Sequence, residues 1–270
     1  MQRLTRAIHN KDHIGHYAGG CVWRAAGSSA QVSWVVMPGS VRNVLGREVV
    51  LIAAYRRVIN PARRDVVVDR ETFDLIKRKH GAYASWAVWA EPTRTPKSNV
   101  GVLSVLDPDL NATLLQIIRP DVVMLGLNLS RFTPESPLGN FHDGTARAQD
   151  YKIRYAFAGT PYYGAYMTDF IKEVVELKSG TLMRKIRSNQ SLVDKNVRRL
   201  LEELDDLGCV SPTVIAFGRD AYELALEHLP SSRSSRLVGV RHYSDYIGQE
   251  KYGEQVLAKL SGRPDMLGPG

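Results

Sequence analysis

Four short apolar runs in the second half of the chain constrain the fold more than any other feature of the sequence. The runs are VVMLGLN (122–128), GAYMTD (164–169), TVIAFG (213–218) and LVGVRH (237–242). The segments between them are long enough for crossover helices, so the pattern predicts repeated strand–helix units and a parallel sheet. Open parallel sheets bind ligands at the carboxyl ends of their strands. We therefore expect the residues that end the runs to meet at one edge: Asn128, Asp169, Gly218 and His242.

Length and composition fit a globular domain with an additional module. The chain has 270 residues, of which 44% are hydrophobic and 24% charged, enough for one α/β core. No apolar stretch approaches the roughly 20 residues that span a bilayer, and the amino terminus lacks a secretory signal pattern. We expect a cytoplasmic protein without membrane contact. Cys21 and Cys209 form no Cys-x-x-Cys pair, which argues against a zinc knuckle, an iron–sulfur cluster or a disulfide framework.

The positive charge is concentrated in the amino-terminal quarter of the sequence. Residues 1–68 carry ten Lys or Arg and three acidic residues, a net +7 of the total +8. Such a segment suits a polyanion such as DNA, because its contacts to phosphates release counterions. The alternative is a solvated basic extension without a partner. The predicted organisation is a basic extension or small module at 1–68, a main domain at 69–262 and a tail at 263–270, with a helix capped by Asp69 at the boundary.

Four segments, in this order, resemble motifs of the uracil-DNA glycosylase superfamily. They are GLNLSR (126–131), Thr168-Asp169 with Lys172, PTVIAFGRDAYELA (212–225) and HYS (242–244). The resemblance extends over roughly residues 82–255. It implies an α/β fold, a three-layer α/β/α core around a four-stranded parallel sheet. The chain departs from the family pattern in two ways: proline is missing after Asn128 and after His242, and Asp169 stands where an Asn is expected.

The resemblance implies a DNA glycosylase that acts on double-stranded DNA and needs no metal and no cofactor. Such an enzyme flips a base out of the duplex and breaks its bond to the sugar. Asn128 would orient the attacking water, and His242 would donate a hydrogen bond to the departing base. The alternatives are a strand-end turn for Asn128 and a core histidine for His242. The remaining site residues are expected to contact the base (Phe141, Asp169, His142 and Asp143) or the DNA (Arg131, Lys172, Ser244 and Tyr246, the last as a wedge).

Asp169 favours a cytosine-like base over uracil. A carboxylate accepts a hydrogen bond from the exocyclic amine of cytosine, whereas an Asn both donates and accepts at the edge of uracil. The sequence also resembles a branch of the superfamily proposed to protect prokaryotes from phages by excising glucosylated hydroxymethylcytosine. The expected function is therefore monofunctional excision of a modified cytosine in antiviral defence. Three alternatives stay open: a structural ion pair between Asp169 and Lys172, a uracil-DNA repair enzyme, and a non-catalytic DNA-binding protein.

Overall fold

The computed structural model describes residues 16–17, 20–21, 68–129, 134–172 and 174–262. The chain divides into two compact units, Met1–Asp65 and Val66–Gly270. In the first unit the described residues form two short antiparallel strands, β1 (His16–Tyr17) and β2 (Gly20–Cys21). The rest of the basic segment through residue 67, and the predicted tail at 263–270, lie outside the described residues.

The second unit contains a mixed five-stranded sheet. Its strands in spatial order are β3 (Ser85–Trp86), β5 (Ala165–Ile171), β4 (Arg119–Asn128), β6 (Thr213–Phe217) and β7 (Arg236–Val240). The four apolar runs form β4 to β7, which pair in parallel. The predicted four-stranded parallel sheet was wrong in one respect, because β3 adds an antiparallel edge strand beside β5. A two-residue strand is too short to show the alternation that reveals strands in a sequence.

Helices connect and flank the strands of this α/β fold. The described ranges contain seven: α1 (Arg70–His80), α2 (Leu114–Ile117), α3 (Tyr151–Phe157), α4 (Ser179–Arg187), α5 (Gln190–Asp206), α6 (Arg219–His228) and α7 (Gln249–Leu260). The predicted cap of α1 is confirmed, since the Asp69 side chain accepts a hydrogen bond from the Thr72 amide. In the described part of the chain, no helix has the length and apolar character needed to cross a membrane.

Two apolar clusters lie on opposite faces of the sheet. Alternate side chains of a strand point to opposite faces, and along β5 Met167 belongs to one cluster while Tyr166 and Phe170 belong to the other. The Met167 cluster includes residues of α3 and α7. The Tyr166 cluster includes residues of α1, α4, α5 and α6. Asp169 has the parity of Met167, so it faces the α3 and α7 side at the carboxyl end of β5.

Candidate active site

The two central strands meet at a glycine. Gly126 on β4 is the register partner of Asp169 on β5. A methyl group on Gly126 would collide with Oδ1 of Asp169 and lie 3.1 Å from Cζ of Phe141. The missing side chain therefore admits both the carboxylate and the aromatic ring at this point.

An aromatic cluster extends from this point to His242. The ring centroid of Phe141 lies 6.4 Å from that of Phe217 and 6.5 Å from that of Tyr243. Tyr243 packs edge-on against Phe217 at 5.5 Å and stacks on His242 at 4.4 Å. Aromatic contacts thus run from His242, two residues after β7, to Phe141. The Phe141 ring and Oδ1 of Asp169 both lie beside Gly126.

The hydrogen bonds of His242 define its tautomer. The backbone amide of Ser244 donates to Nδ1 of His242 at 3.1 Å, and the Ser244 hydroxyl lies 2.7 Å from the same nitrogen. A backbone amide can only donate, so Nδ1 carries no proton and Nε2–H is the donor of the neutral ring. Burial lowers the pKa of His242, opposed in part by the charge of Asp245. The imidazole is accordingly neutral at physiological pH, with a hydrogen-bond donor at Nε2.

Gly218 makes room for this imidazole. It follows β6 and caps α6 with φ of 85°, a left-handed conformation that glycine adopts without strain. A Cβ atom here would stand 3.3 Å from Cβ and Cδ2 of His242. Gly218 thus allows the imidazole of His242 to approach the backbone closely at this point.

Asn128 is held by the loop that follows β5. Its Nδ2 lies 2.8 Å from the carbonyl oxygen of Leu129, 3.0 Å from that of Val174 and 2.9 Å from that of Glu176. These acceptors fix the orientation of the amide. Among the described residues, none donates a hydrogen bond to its Oδ1. The side chain therefore joins two loops through its nitrogen and leaves an acceptor oxygen for a further partner.

Asp169 is a buried carboxylate, and within the described ranges no cationic group pairs with its side chain. It is 2% exposed, and Oδ2 accepts a hydrogen bond of 2.9 Å from Nδ2 of Asn140. Burial raises the pKa of Asp169 to about 7, although the Asn140 hydrogen bond and the charge of Lys172 act in the opposite direction. Both protonation states of Asp169 are therefore populated near neutral pH.

Two residues that were expected to contact the base or the DNA have buried side chains with partners inside the protein, and their contacts with DNA remain predictions. His142 was expected to touch the base, but its Nδ1 and Nε2 lie 3.0 Å from the carbonyl oxygens of Asn140 and Val88, and its ring stacks on Trp89. Lys172 was expected to contact DNA, but its side chain is 1% exposed and pairs with Glu203 at 2.8 Å. The ammonium group of Lys172 also donates to the backbone oxygen of Asp169 and not to its carboxylate. The alternative of an ion pair between the side chains of Asp169 and Lys172 is therefore incorrect.

The other predicted contacts differ in accessibility. Asp143 is partly buried, and its Oδ1 closes a turn by accepting from the Thr145 amide. Ser244 is exposed and bonds His242, while Tyr246 is fully exposed. Arg131 lies outside the described residues. The contacts of Asp143, Ser244 and Tyr246 with DNA remain predictions.

Two residues at this site carried no prediction from the sequence. Asn140 binds the carboxylate of Asp169, and Tyr243 contacts His242, Phe141 and Phe217. Tyr243 follows His242 directly, at the position where the sequence departs from the motif that it resembles, and this departure was the available signal. Asn140 stands in a long polar loop, where an Asn is ordinary, and nothing local distinguishes it.

Comparison with known proteins adds no assignment. Neither a protein-family model nor a curated protein matches this sequence. Within the described residues, no group of three or more His, Cys, Asp or Glu side chains is arranged to hold a metal ion.

Proposed function

We propose that the protein is a monofunctional DNA glycosylase that excises a modified cytosine, glucosylated 5-hydroxymethylcytosine of phage DNA, in antiviral defence. The observation that carries the proposal is the neutral His242, whose protonated nitrogen is Nε2 because the Ser244 amide donates to Nδ1. Tyr243 stacks on this imidazole and packs against Phe141, and the Phe141 ring lies beside Gly126, as does Oδ1 of the buried Asp169. A hydrogen-bond donor, an aromatic surface and a carboxylate at the carboxyl ends of the parallel strands suit the extraction and release of a base.

Asn128 orients the attacking water in this mechanism. Its Nδ2 is engaged by backbone carbonyls, so its Oδ1 accepts a hydrogen bond from a water directed at the anomeric carbon of the sugar. An amide is no strong base. Its contribution is orientation, which lowers the barrier by placing the nucleophile in line with the breaking bond. The proton that the water loses on bonding to the anomeric carbon neutralises the departing base anion, which is released as the free base.

His242 acts on the leaving group. Negative charge develops on the base as its bond to the sugar breaks, and a hydrogen bond from Nε2 stabilises that charge where it forms. A neutral imidazole is suited to this role because it donates without protonating the base. The stacking of Tyr243 on His242 holds the ring in place.

Asp169 selects the base, and its pKa supports a second candidate function. When ionised, its Oδ1 accepts from the exocyclic amine of cytosine. When protonated, which the pKa of about 7 allows near neutrality, the carboxyl group also donates, as an Asn does toward uracil. Uracil excision in base-excision repair is therefore the second candidate.

The surrounding fold is compatible with DNA binding. Helices on both faces of the sheet suit the three-layer α/β/α core of the superfamily that the sequence resembles. Tyr246, fully exposed between β7 and α7, has the position and chemistry of a wedge that fills the gap left by the flipped base. The basic segment 1–68 would add phosphate contacts.

An abasic-site assay tests the proposal directly. Duplexes carrying one uracil, one hydroxymethylcytosine or one glucosylated hydroxymethylcytosine are incubated with the full chain, and aldehydes are detected with an amine-reactive probe. We expect aldehydes from the glucosylated duplex, undiminished by EDTA and lost with His242→Ala. Release of uracil alone would favour repair. Release of no base, with DNA still bound, would favour a non-catalytic DNA-binding protein.

A further inference from the structure

Asn140 is the only described residue that donates a hydrogen bond to the side chain of Asp169. Its Nδ2 lies 2.7 Å from the carbonyl oxygen of Tyr83 and 2.9 Å from Oδ2 of Asp169. Its Oδ1 accepts from the amide of Phe141 at 3.0 Å. The side-chain amide of Asn140 therefore connects three groups: the backbone of Tyr83, the carboxylate of Asp169 and the backbone of Phe141.

These three contacts permit a single orientation of the Asn140 amide. Exchange of its nitrogen and oxygen would bring the oxygen against a carbonyl and a carboxylate, and would bring the NH₂ group against the Phe141 N–H. The backbone of Phe141 has a φ of 62°, a left-handed conformation that is uncommon for a bulky residue. The hydrogen bond from its amide to Asn140 stabilises that conformation and so the placement of the ring.

The orientation of Asn140 determines what each oxygen of Asp169 does. Oδ2 faces an N–H donor and must act as an acceptor, so a proton on the carboxyl group would reside on Oδ1. Oδ1 is the atom that a methyl group on Gly126 would meet, beside Phe141. The position beside the aromatic ring is therefore occupied by an oxygen that is either an acceptor or a donor, depending on ionisation.

We infer that Asn140 is a specificity-determining positioning residue, which holds Oδ2 of Asp169 and thereby presents Oδ1, in its acceptor form, to the exocyclic amine of an extruded cytosine. The inference about the base rests on the proposed function. The inference about the carboxylate does not, because it concerns contacts within the protein alone. Loss of Asn140 would shift Asp169 toward its donor form, which suits the carbonyl of uracil.

Burial and three neighbouring groups influence the ionisation of Asp169. Burial opposes ionisation, as does the charge of Glu203 on α5, while Asn140 and the charge of Lys172 favour it. Tyr243, across the aromatic cluster, is neutral because burial raises its pKa. Of these groups, only Asn140 can be replaced so that the hydrogen bonding of the Asp169 carboxylate changes while every formal charge stays the same.

Carbon-13 NMR of labelled aspartate side chains measures the effect in the full chain without DNA. We expect the Asp169 carboxyl to titrate near pH 7 in the wild type and about one pH unit higher in Asn140→Ala, since the hydrogen bond favours the charged form. Ser85→Ala is the matched control. It removes an anchor of the same loop, the hydroxyl bond to Leu138, and should leave the midpoint unchanged.

A wild-type measurement covers the case in which Asn140→Ala does not fold. The Asn140 side-chain amide, observed by nitrogen-15 NMR, should change its chemical shift with the same midpoint as the Asp169 carboxyl. An Asn140 amide that is unaffected by this titration, or equal midpoints in wild type and Asn140→Ala, would overturn the inference.

The excision assay then tests specificity. At pH 7 the ratio of uracil release to modified-cytosine release should rise by roughly tenfold in Asn140→Ala, because a tenfold change in protonation corresponds to one pH unit. An unchanged ratio with a shifted midpoint would refute the selection of the base by Asp169. A wild type that releases no base would refute the proposed function, while the NMR result still decides the role of Asn140.

Discussion

Two buried carboxylates on opposite faces of the same sheet, Glu203 and Asp169, differ in the groups that compensate their charge. Glu203 is fully buried and receives the ammonium group of Lys172 at 2.8 Å and the hydroxyl of Tyr166 at 2.8 Å. Asp169 is 2% exposed, and among the residues that the structure describes its side chain accepts a hydrogen bond only from the amide of Asn140. A buried charge is tolerated when it is paired and hydrogen-bonded. By this criterion Glu203 is compensated and Asp169 is not.

The difference agrees with the roles that we propose for the two groups. Perturbed pKa values cluster at functional sites, and the pKa raised to about 7 belongs to Asp169, at the strand ends. The compensated Glu203 instead connects α5 to β5 by its hydrogen bond with Tyr166 and its ion pair with Lys172, on the face of the sheet opposite to Asp169. Substitutions on the two faces should therefore affect different properties.

The largest expected effect is on stability, at the compensated pair. Glu203→Gln should lower the free energy of unfolding by roughly 3–5 kcal/mol, because it leaves the Lys172 charge buried and unpaired. Urea denaturation measures this change. Asp205→Asn is the control, since it breaks an exposed ion pair with Arg233 and such pairs contribute about 0–1 kcal/mol. Equal losses in the two variants would remove the contrast between the faces.

The next effect is on catalysis. His242→Ala should slow base release by about 10²–10³-fold, the loss expected when a donor to a developing anion is removed, with little change in DNA affinity or stability. Ser244→Ala should cost much less, because the backbone amide that fixes the tautomer remains. Single-turnover kinetics and DNA binding measure the two variants. Normal release by His242→Ala would place the reacting centre elsewhere.

A smaller effect concerns the pH dependence of stability. The raised pKa of Asp169 means that the folded state binds this proton more tightly, so its contribution to stability is greatest below the ordinary carboxyl pKa and declines as the pH rises to about 7. Asp169→Asn removes that decline. Between pH 4 and 8 the variant should gain roughly 2–3 kcal/mol relative to wild type. If the free energies of unfolding of wild type and Asp169→Asn changed with pH in parallel, the pKa of Asp169 would not be raised by folding.

The smallest expected effect is at the rim. Tyr246→Ala should reduce excision from duplex by about tenfold and from single strands very little, since only a duplex leaves a gap to fill. Leu226→Ala, which removes another exposed apolar side chain on α6, should change neither rate. Equal losses on both substrates would exclude a wedge.

The sequence predicted the fold better than it predicted the polar contacts. Apolar runs reveal buried parallel strands because both faces of such strands are covered, and all four runs became strands. The burial of Lys172 could not be predicted, since a lysine is normally exposed and its partner Glu203 is distant in the chain. Asn140 and Tyr243 escaped notice for the same reason: their importance comes from neighbours that only the folded chain provides.

The alternation along β5 has an evolutionary consequence. Tyr166 and Phe170 pack on one side of the strand, while Asp169 faces the other. Inserting or deleting one residue within this strand would exchange the two sides, moving the carboxylate into the apolar cluster and an aromatic ring into the site. Related proteins can therefore diversify their specificity by replacing residues in β5, but we expect its length to be preserved among them.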